Sequence, residues 1–192
     1  MAYTDTIQQL NDARRRILEI RAEMRELQAG IEPEQIEDYE FTTTTGTARL
    51  SQLFGDCDEL ILIHNMGSGC VYCTLWADGF NGLIDHLEDR AAFVLTSPDS
   101  PDHQRDFAAS RGWRFRMVSH EDTSFAADMG YYIEEGEYPG FHPGVSVFRK
   151  DGDRLLRLSD TSLGPNDDFC AAWHLYNLFP EGPDGWEPKY QY

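Results

Sequence analysis

The chain has 192 residues, a formal net charge of −18, 41% hydrophobic and 12% aromatic residues. That length and apolar content suit one domain with a sizeable core plus appended structure, and argue against a disordered chain. The acidic balance argues against a nucleic-acid partner, and the polar, charged first thirty residues offer neither a signal peptide nor a membrane span, so the expected compartment is the cytoplasm and no membrane partner is expected.

The first element is a helix over residues 7–29, free of Gly and Pro and rich in helix formers, which Gly30 and Pro33 end. Leu10, Ile17 and Met24 repeat every seven residues, as do Ala13, Ile20 and Leu27, a seam of three heptads. Two readings stand: a helix laid on its own domain, or a helix that pairs with a second chain into a homodimer. From Tyr39, "YEFTTTTGTARL" alternates and turns at Gly46, which reads as a hairpin.

"ELILIHNM" (59–66) is a continuous apolar run typical of a strand buried on both faces. The helical stretch 74–90 follows, weakened or kinked by Gly79 and Gly82. Residues 91–97 form a second buried strand, 99–112 a helix with Pro at its start and Gly112 at its end, and 114–119 a third strand. Residues 120–142 read as a long Gly- and Tyr-rich loop. Two strands over 144–159 turn at Asp151-Gly152, an amphipathic helix spans 166–179, and an aromatic tail closes the chain.

Cys70 and Cys73 stand between the 59–66 strand and the helix after it. In a cytoplasmic chain, structural disulfides are rare and such a pair is more often catalytic or metal-bound. A cysteine at the first turn of a helix faces unpaired N–H groups and the positive end of the helix dipole, so its thiolate is favoured. A second cysteine one turn on is within reach to attack a mixed disulfide. Cys70 is thus the expected nucleophile and Cys73 the resolving thiol. Cys57 and Cys170 have no close sequence partner and read as ordinary half-buried thiols.

The order β-α-β-α-β-β-α, with Cys-x-x-Cys after a buried strand and opening a helix, resembles the thioredoxin fold over roughly residues 40–180. This is an α/β architecture of a central mixed sheet flanked by helices. "HPGVSVFRKDG" is similar to the strand that follows the cis-proline of thioredoxins, with Pro143 in that place. "YEFTTTTGTARLSQLFGDCDELILIHNM" looks like the front half of the peroxiredoxin- and TlpA-type branch. "CVYCTLWADGFNG", "RGWRF" and "SVFRKDGDR" together are similar to a little-characterised bacterial and archaeal thioredoxin-like family with no assigned function. The resulting division is an N-terminal helix at 1–30, a thioredoxin-like domain at 38–180 and an aromatic tail at 181–192.

The resemblance implies roles for two histidines. His64 lies where thioredoxins have a buried carboxylate that assists the resolving cysteine, and an imidazole can serve as that base. The competing reading is a strand-end histidine bonded to backbone. His142 precedes Pro143, at a position that touches the sulfurs in the resembled fold; with a cis Pro143 it would stabilise the Cys70 thiolate or complete a metal site. The competing reading is a loop histidine. Val71-Tyr72 replaces the Gly-Pro common between thioredoxin cysteines. The peroxidase pattern of Thr or Ser three residues before the nucleophile and Pro seven before is absent, those positions being Gly67 and Ile63. A peroxiredoxin mechanism is therefore disfavoured.

Trp76 and Phe80 lie on one helical face and read as core, with Asp78 between them solvated. Tyr131, Tyr132, Tyr138 and Phe141 form either an aromatic lid near Pro143 or core packing beneath the long loop. The function expected is a cytoplasmic thiol–disulfide oxidoreductase acting on a protein or small-molecule disulfide or thiol, with no cofactor. The alternatives are a zinc- or copper-binding protein using Cys70, Cys73 and His142 or His64, although a closed zinc site would normally use a second Cys-x-x-Cys, or a non-catalytic interaction module.

Overall fold

The computed structural model describes residues 3–192, which divide into a unit ending at Pro33 and a unit from Glu34 to Tyr192. The first unit is α1 (Tyr3–Ala29), a helix that buries none of its residues. Leu10, Ile17, Ile20, Met24 and Leu27 of its heptad seam are all exposed.

The second unit is an eight-stranded mixed sheet with helices. It contains β1 (Glu34–Ile36), β2 (Glu40–Thr43), β3 (Gly46–Arg49), β4 (Glu59–His64), β5 (Ala92–Ser97), β6 (Arg116–Ser119), a small hairpin of β7 (Tyr132–Ile133) and β8 (Gly140–Phe141), then β9 (Gly144–Asp151) and β10 (Arg154–Ser162). The helices are α2 (Val71–Arg90), α3 (Pro101–Arg111), α4 (Phe125–Asp128) and α5 (Ala171–Tyr176). The strand order is β1-β10-β9-β4-β5-β6-β2-β3. Strands β4, β5 and β6 run parallel, and β9 returns antiparallel to β4, as the thioredoxin-like reading requires.

Alternation along the strands sends side chains to two cores. On one face Leu60, Leu62, Val94, Val118 and Phe148 pack with Phe41, Phe54, Phe125 and Tyr131. On the other, Ile63, Phe93, Leu95 and Val145 pack with Cys73, Trp76, Ala77, Phe80 and Ile84 of α2 and with Trp173 of α5. Trp76 and Phe80 are core, as the sequence implies.

Several elements depart from expectation. Helix α2 runs unbroken through Gly79 and Gly82. The closing helix has only six residues, because Asn166 takes a left-handed φ of 72° and Asp167 uses its carboxylate to close a turn on the N–H groups of Gly164 and Phe169. The polar strand β1 adds an edge that pairs with β10, and the long loop contains α4 and the β7–β8 hairpin. No cis peptide bond occurs among the described residues, so the His142–Pro143 bond is trans.

Candidate active site

The site forms at the carboxyl end of β4. After His64 the chain turns sharply: the Asn65 side chain accepts from Gly67 N–H at 2.8 Å, and Gly67 takes a φ of 99°. Gly67 also lies against the Asp99 carboxylate, which a Cβ there would approach to 3.1 Å. Asp99 accepts from Ser68 N–H at 2.7 Å, and the Ser68 hydroxyl pairs with His103 Nε2 at 2.7 Å. The bend is thereby tied to the loop before α3, and it delivers Cys70 to the start of α2.

Cys70 is the N-cap of α2, with extended φ and ψ of −99° and 104°. Its sulfur accepts a hydrogen bond from Cys73 N–H at 3.1 Å, in the place where a capping oxygen usually sits. Its pKa is lowered to about 7, first by a hydrogen bond from the Cys73 side chain and then by the N–H groups of Cys73 and Tyr72, against the opposing effect of burial. Cys73 is buried and its thiol is pushed strongly upward, first by that bond to Cys70, then by burial and the negative charge on Cys70. One thiol is prepared to ionise near neutrality and the other is held protonated beside it. All four cysteines are free thiols.

His64 lies on the other side of the sheet. Leu60 and Leu62 mark that face, and the His64 ring stacks on Tyr131 at 3.8 Å and on Phe125 at 5.5 Å while its Nε2 pairs with Ser146 Oγ at 2.9 Å. Burial first, then His120 and Arg157, push its pKa well below the usual histidine value. Cys73 belongs to the core on the α2 face. His64 and Cys73 are thus not brought together.

Pro143 stands just before β9, where Gly144 pairs with His64, so it does reach the carboxyl end of β4. Its carbonyl accepts from Leu163 N–H at 3.0 Å. His142 Nε2 pairs with the Tyr138 carbonyl at 2.8 Å, an interaction within its own loop. Of the loop aromatics, Tyr131 is core, whereas Tyr138 is 71% exposed. Among the described residues, no three His, Cys, Asp or Glu side chains are grouped as ligands of one metal ion.

Three features escape a linear reading. Asp78 is partly exposed yet engaged: it pairs with Arg111 and accepts from Trp113 Nε1 at 2.8 Å. His120 is buried at the end of β6 with Nδ1 against Thr96 Oγ1 at 2.9 Å. The aromatic tail returns to the site, Tyr190 donating to the Ser68 carbonyl at 2.9 Å. Each joins residues far apart in the chain, and no local pattern announces them. A surface hollow of about 900 Å³ lined by Cys57, Glu59, Arg90 and Arg149 is at the amino end of β4, roughly 20 Å of strand away from the dithiol.

Among solved structures the chain is similar to the peroxidoxin BcpB of Mycobacterium tuberculosis, with 26% identity and a TM-score of 0.55 over 68% of this chain and 84% of that one. Peroxiredoxin Q of Xanthomonas campestris matches at 19% identity and a TM-score of 0.56, over 65% of this chain and 80% of its own. PrxQ of Xylella fastidiosa matches at 16% identity and 0.55, over 66% and 85%. These neighbours place the fold among thioredoxin-fold peroxiredoxins, and the 26% identical one supports a thiol-based redox theme. No curated protein is significantly similar. No described helix is long and apolar enough to cross a membrane. Residues 2–191 match a single family over nearly the whole chain, and the protein belongs to it: the bacterial proteins of unknown function designated DUF899.

Proposed function

We propose that the protein is a cytoplasmic thiol–disulfide oxidoreductase whose couple is Cys70 and Cys73. The observation that carries the reading is the asymmetry between two thiols one helical turn apart: the Cys70 pKa falls to about 7 and that of Cys73 rises. The Cys70 thiolate attacks one sulfur of a substrate disulfide, forming a mixed disulfide and expelling the first substrate thiolate. That step removes the charge on Cys70 that held Cys73 protonated. Cys73 then loses its proton and attacks the Cys70 sulfur, releasing the second substrate thiolate and leaving a Cys70–Cys73 disulfide. Two electrons pass to the substrate, and an external dithiol returns them to the protein.

Stopped-flow reaction of the reduced protein with a small aromatic disulfide tests this. In a Cys57→Ser and Cys170→Ser background, which removes the other two free thiols, the parent should release two thiolates per chain, Cys73→Ser one with a trapped adduct, and Cys70→Ser none. A thiolate released from Cys70→Ser in that background as fast as from the parent would refute the assignment.

A peroxide is the second substrate class, favoured by the likeness to a peroxidoxin at 26% identity. Against it, Gly67 supplies no hydroxyl three residues before Cys70. Peroxide consumption with a dithiol reductant decides between the two. The exposed α1 seam further supports a homodimer formed through this helix.

A further inference from the structure

The C-terminal tail is held against the active-site bend by contacts spread along it. Trp186 packs on Trp173 at 5.8 Å and on Tyr176 at 4.8 Å between ring centroids, and Pro188 is buried. Arg111, fixed on its other side by Asp78, donates to the Tyr190 carbonyl at 2.6 Å. The Tyr190 ring meets Phe107 edge-on at 6.4 Å, and its hydroxyl donates to the Ser68 carbonyl at 2.9 Å, two residues before Cys70. Side chain and backbone of Tyr190 are therefore both gripped, although the residue is 40% exposed. The hydrogen bond to Ser68 sets the phenol at the bend that delivers Cys70 to its helix, and the phenol pKa is raised, chiefly by burial and then by the nearby dithiol.

We propose that Tyr190 is a specificity-determining residue of the dithiol, a wall beside Cys70 that admits compact disulfides and excludes bulky ones, held in place by its hydrogen bond to the Ser68 carbonyl. The inference rests on the dithiol reading above. An exposed anchor with one neutral hydrogen bond adds little to the core, whereas a ring tied two residues before a nucleophile is placed to meet the molecules that approach it. The fixed bend also keeps Ser68, and with it Cys70, at a constant angle to the tail. The substrate class that fits is a low-molecular-weight disulfide, one whose sulfur can reach Cys70 without displacing residues 186–192.

Alkylation of Cys70 tests the wall without requiring turnover. Rates are measured in a Cys57→Ser and Cys170→Ser background with iodoacetamide and with a polyethylene-glycol maleimide, for the parent, Tyr190→Ala and Tyr190→Phe. Tyr190→Ala should raise the bulky-to-small rate ratio by about tenfold, and Tyr190→Phe, which keeps the ring and loses one hydrogen bond, by about threefold to fivefold. A Tyr190→Ala ratio unchanged from the parent would overturn the proposal. So would an equal acceleration of both reagents, since that reports thiolate activation instead of access. A Tyr190→Phe ratio equal to the parent's would refute the role given to the Ser68 bond. If the protein reduces no disulfide yet the ratio shifts as expected, the wall stands and the oxidoreductase reading fails.

Discussion

The sulfur of Cys70 caps its own helix, accepting the backbone N–H of Cys73 at 3.1 Å. A capping atom that carries negative charge is better satisfied than a neutral one, so folding and ionisation of Cys70 support each other. The expected outcome is a thiolate absorbance near 240 nm that titrates with a midpoint of about 7. Cys73→Ala removes the largest cause of the depression, and the midpoint should move upward. An unchanged midpoint in that variant would show that the helix terminus alone sets it.

The buried histidines make the fold acid-sensitive. His120 is held down to about 4 by burial, against the pull of Asp99, and burial holds His64 well below its usual value. An unfolded histidine titrates at about 6.5, so below that pH the unfolded chain binds protons that the folded one refuses, and stability falls as pH falls. The loss due to His120 is on the order of 3 kcal/mol once pH reaches its folded value. Cys70, lowered in the fold, adds a loss of the same sign as pH drops through about 7, and Cys70→Ser removes that contribution. Urea midpoints of Cys70→Ser should fall between pH 7 and pH 5, with a shallower fall once His120→Asn is added.

Gly144 is where the backbone of β9 passes beneath Tyr131. A Cβ there would come within 1.9 Å of the Tyr131 ring, whose hydroxyl reaches the carbonyls of Val145 at 3.3 Å and Thr161 at 3.2 Å. The ring is also stacked on His64, so it has nowhere to retreat. Gly144→Ala should cost about 2 kcal/mol or more in chemical denaturation. A change under about 0.5 kcal/mol would show that Tyr131 moves freely.

Helix α1 buries none of its residues, so deleting residues 1–33 should leave the denaturation midpoint of the remaining chain within experimental error. Sedimentation equilibrium should give twice the chain mass for the full-length protein and a single chain mass for the truncated one. A full-length monomer would remove the homodimer.

Much of the fold was legible because its strongest signals are local. The apolar run of β4 and the cysteines after it, the Pro and Gly bounding α3, and the Asp151-Gly152 turn each act over a few residues. The short β1 is polar and gains its place only by pairing with β10, 119 to 123 residues away in the chain, which no periodicity reveals. The face of His64 was readable in principle, since it shares its parity with Leu60 and Leu62 and not with Ile63. What parity alone does not say is which face α2 covers. Tyr190 depends on a contact spanning 122 positions, and composition marks it only as one aromatic among several in the tail.

The central claim is that Cys70 and Cys73 form one reversible redox couple. Its most direct test equilibrates the protein across a glutathione redox series, quenches with an alkylating agent and maps each cysteine by mass. The account predicts that Cys70 and Cys73 lose alkylation together, in one two-electron transition, with a Cys70–Cys73 disulfide in the peptide map. Both thiols remaining free at the oxidising end, or a disulfide that joins either of them to Cys57 or Cys170 instead, would contradict it.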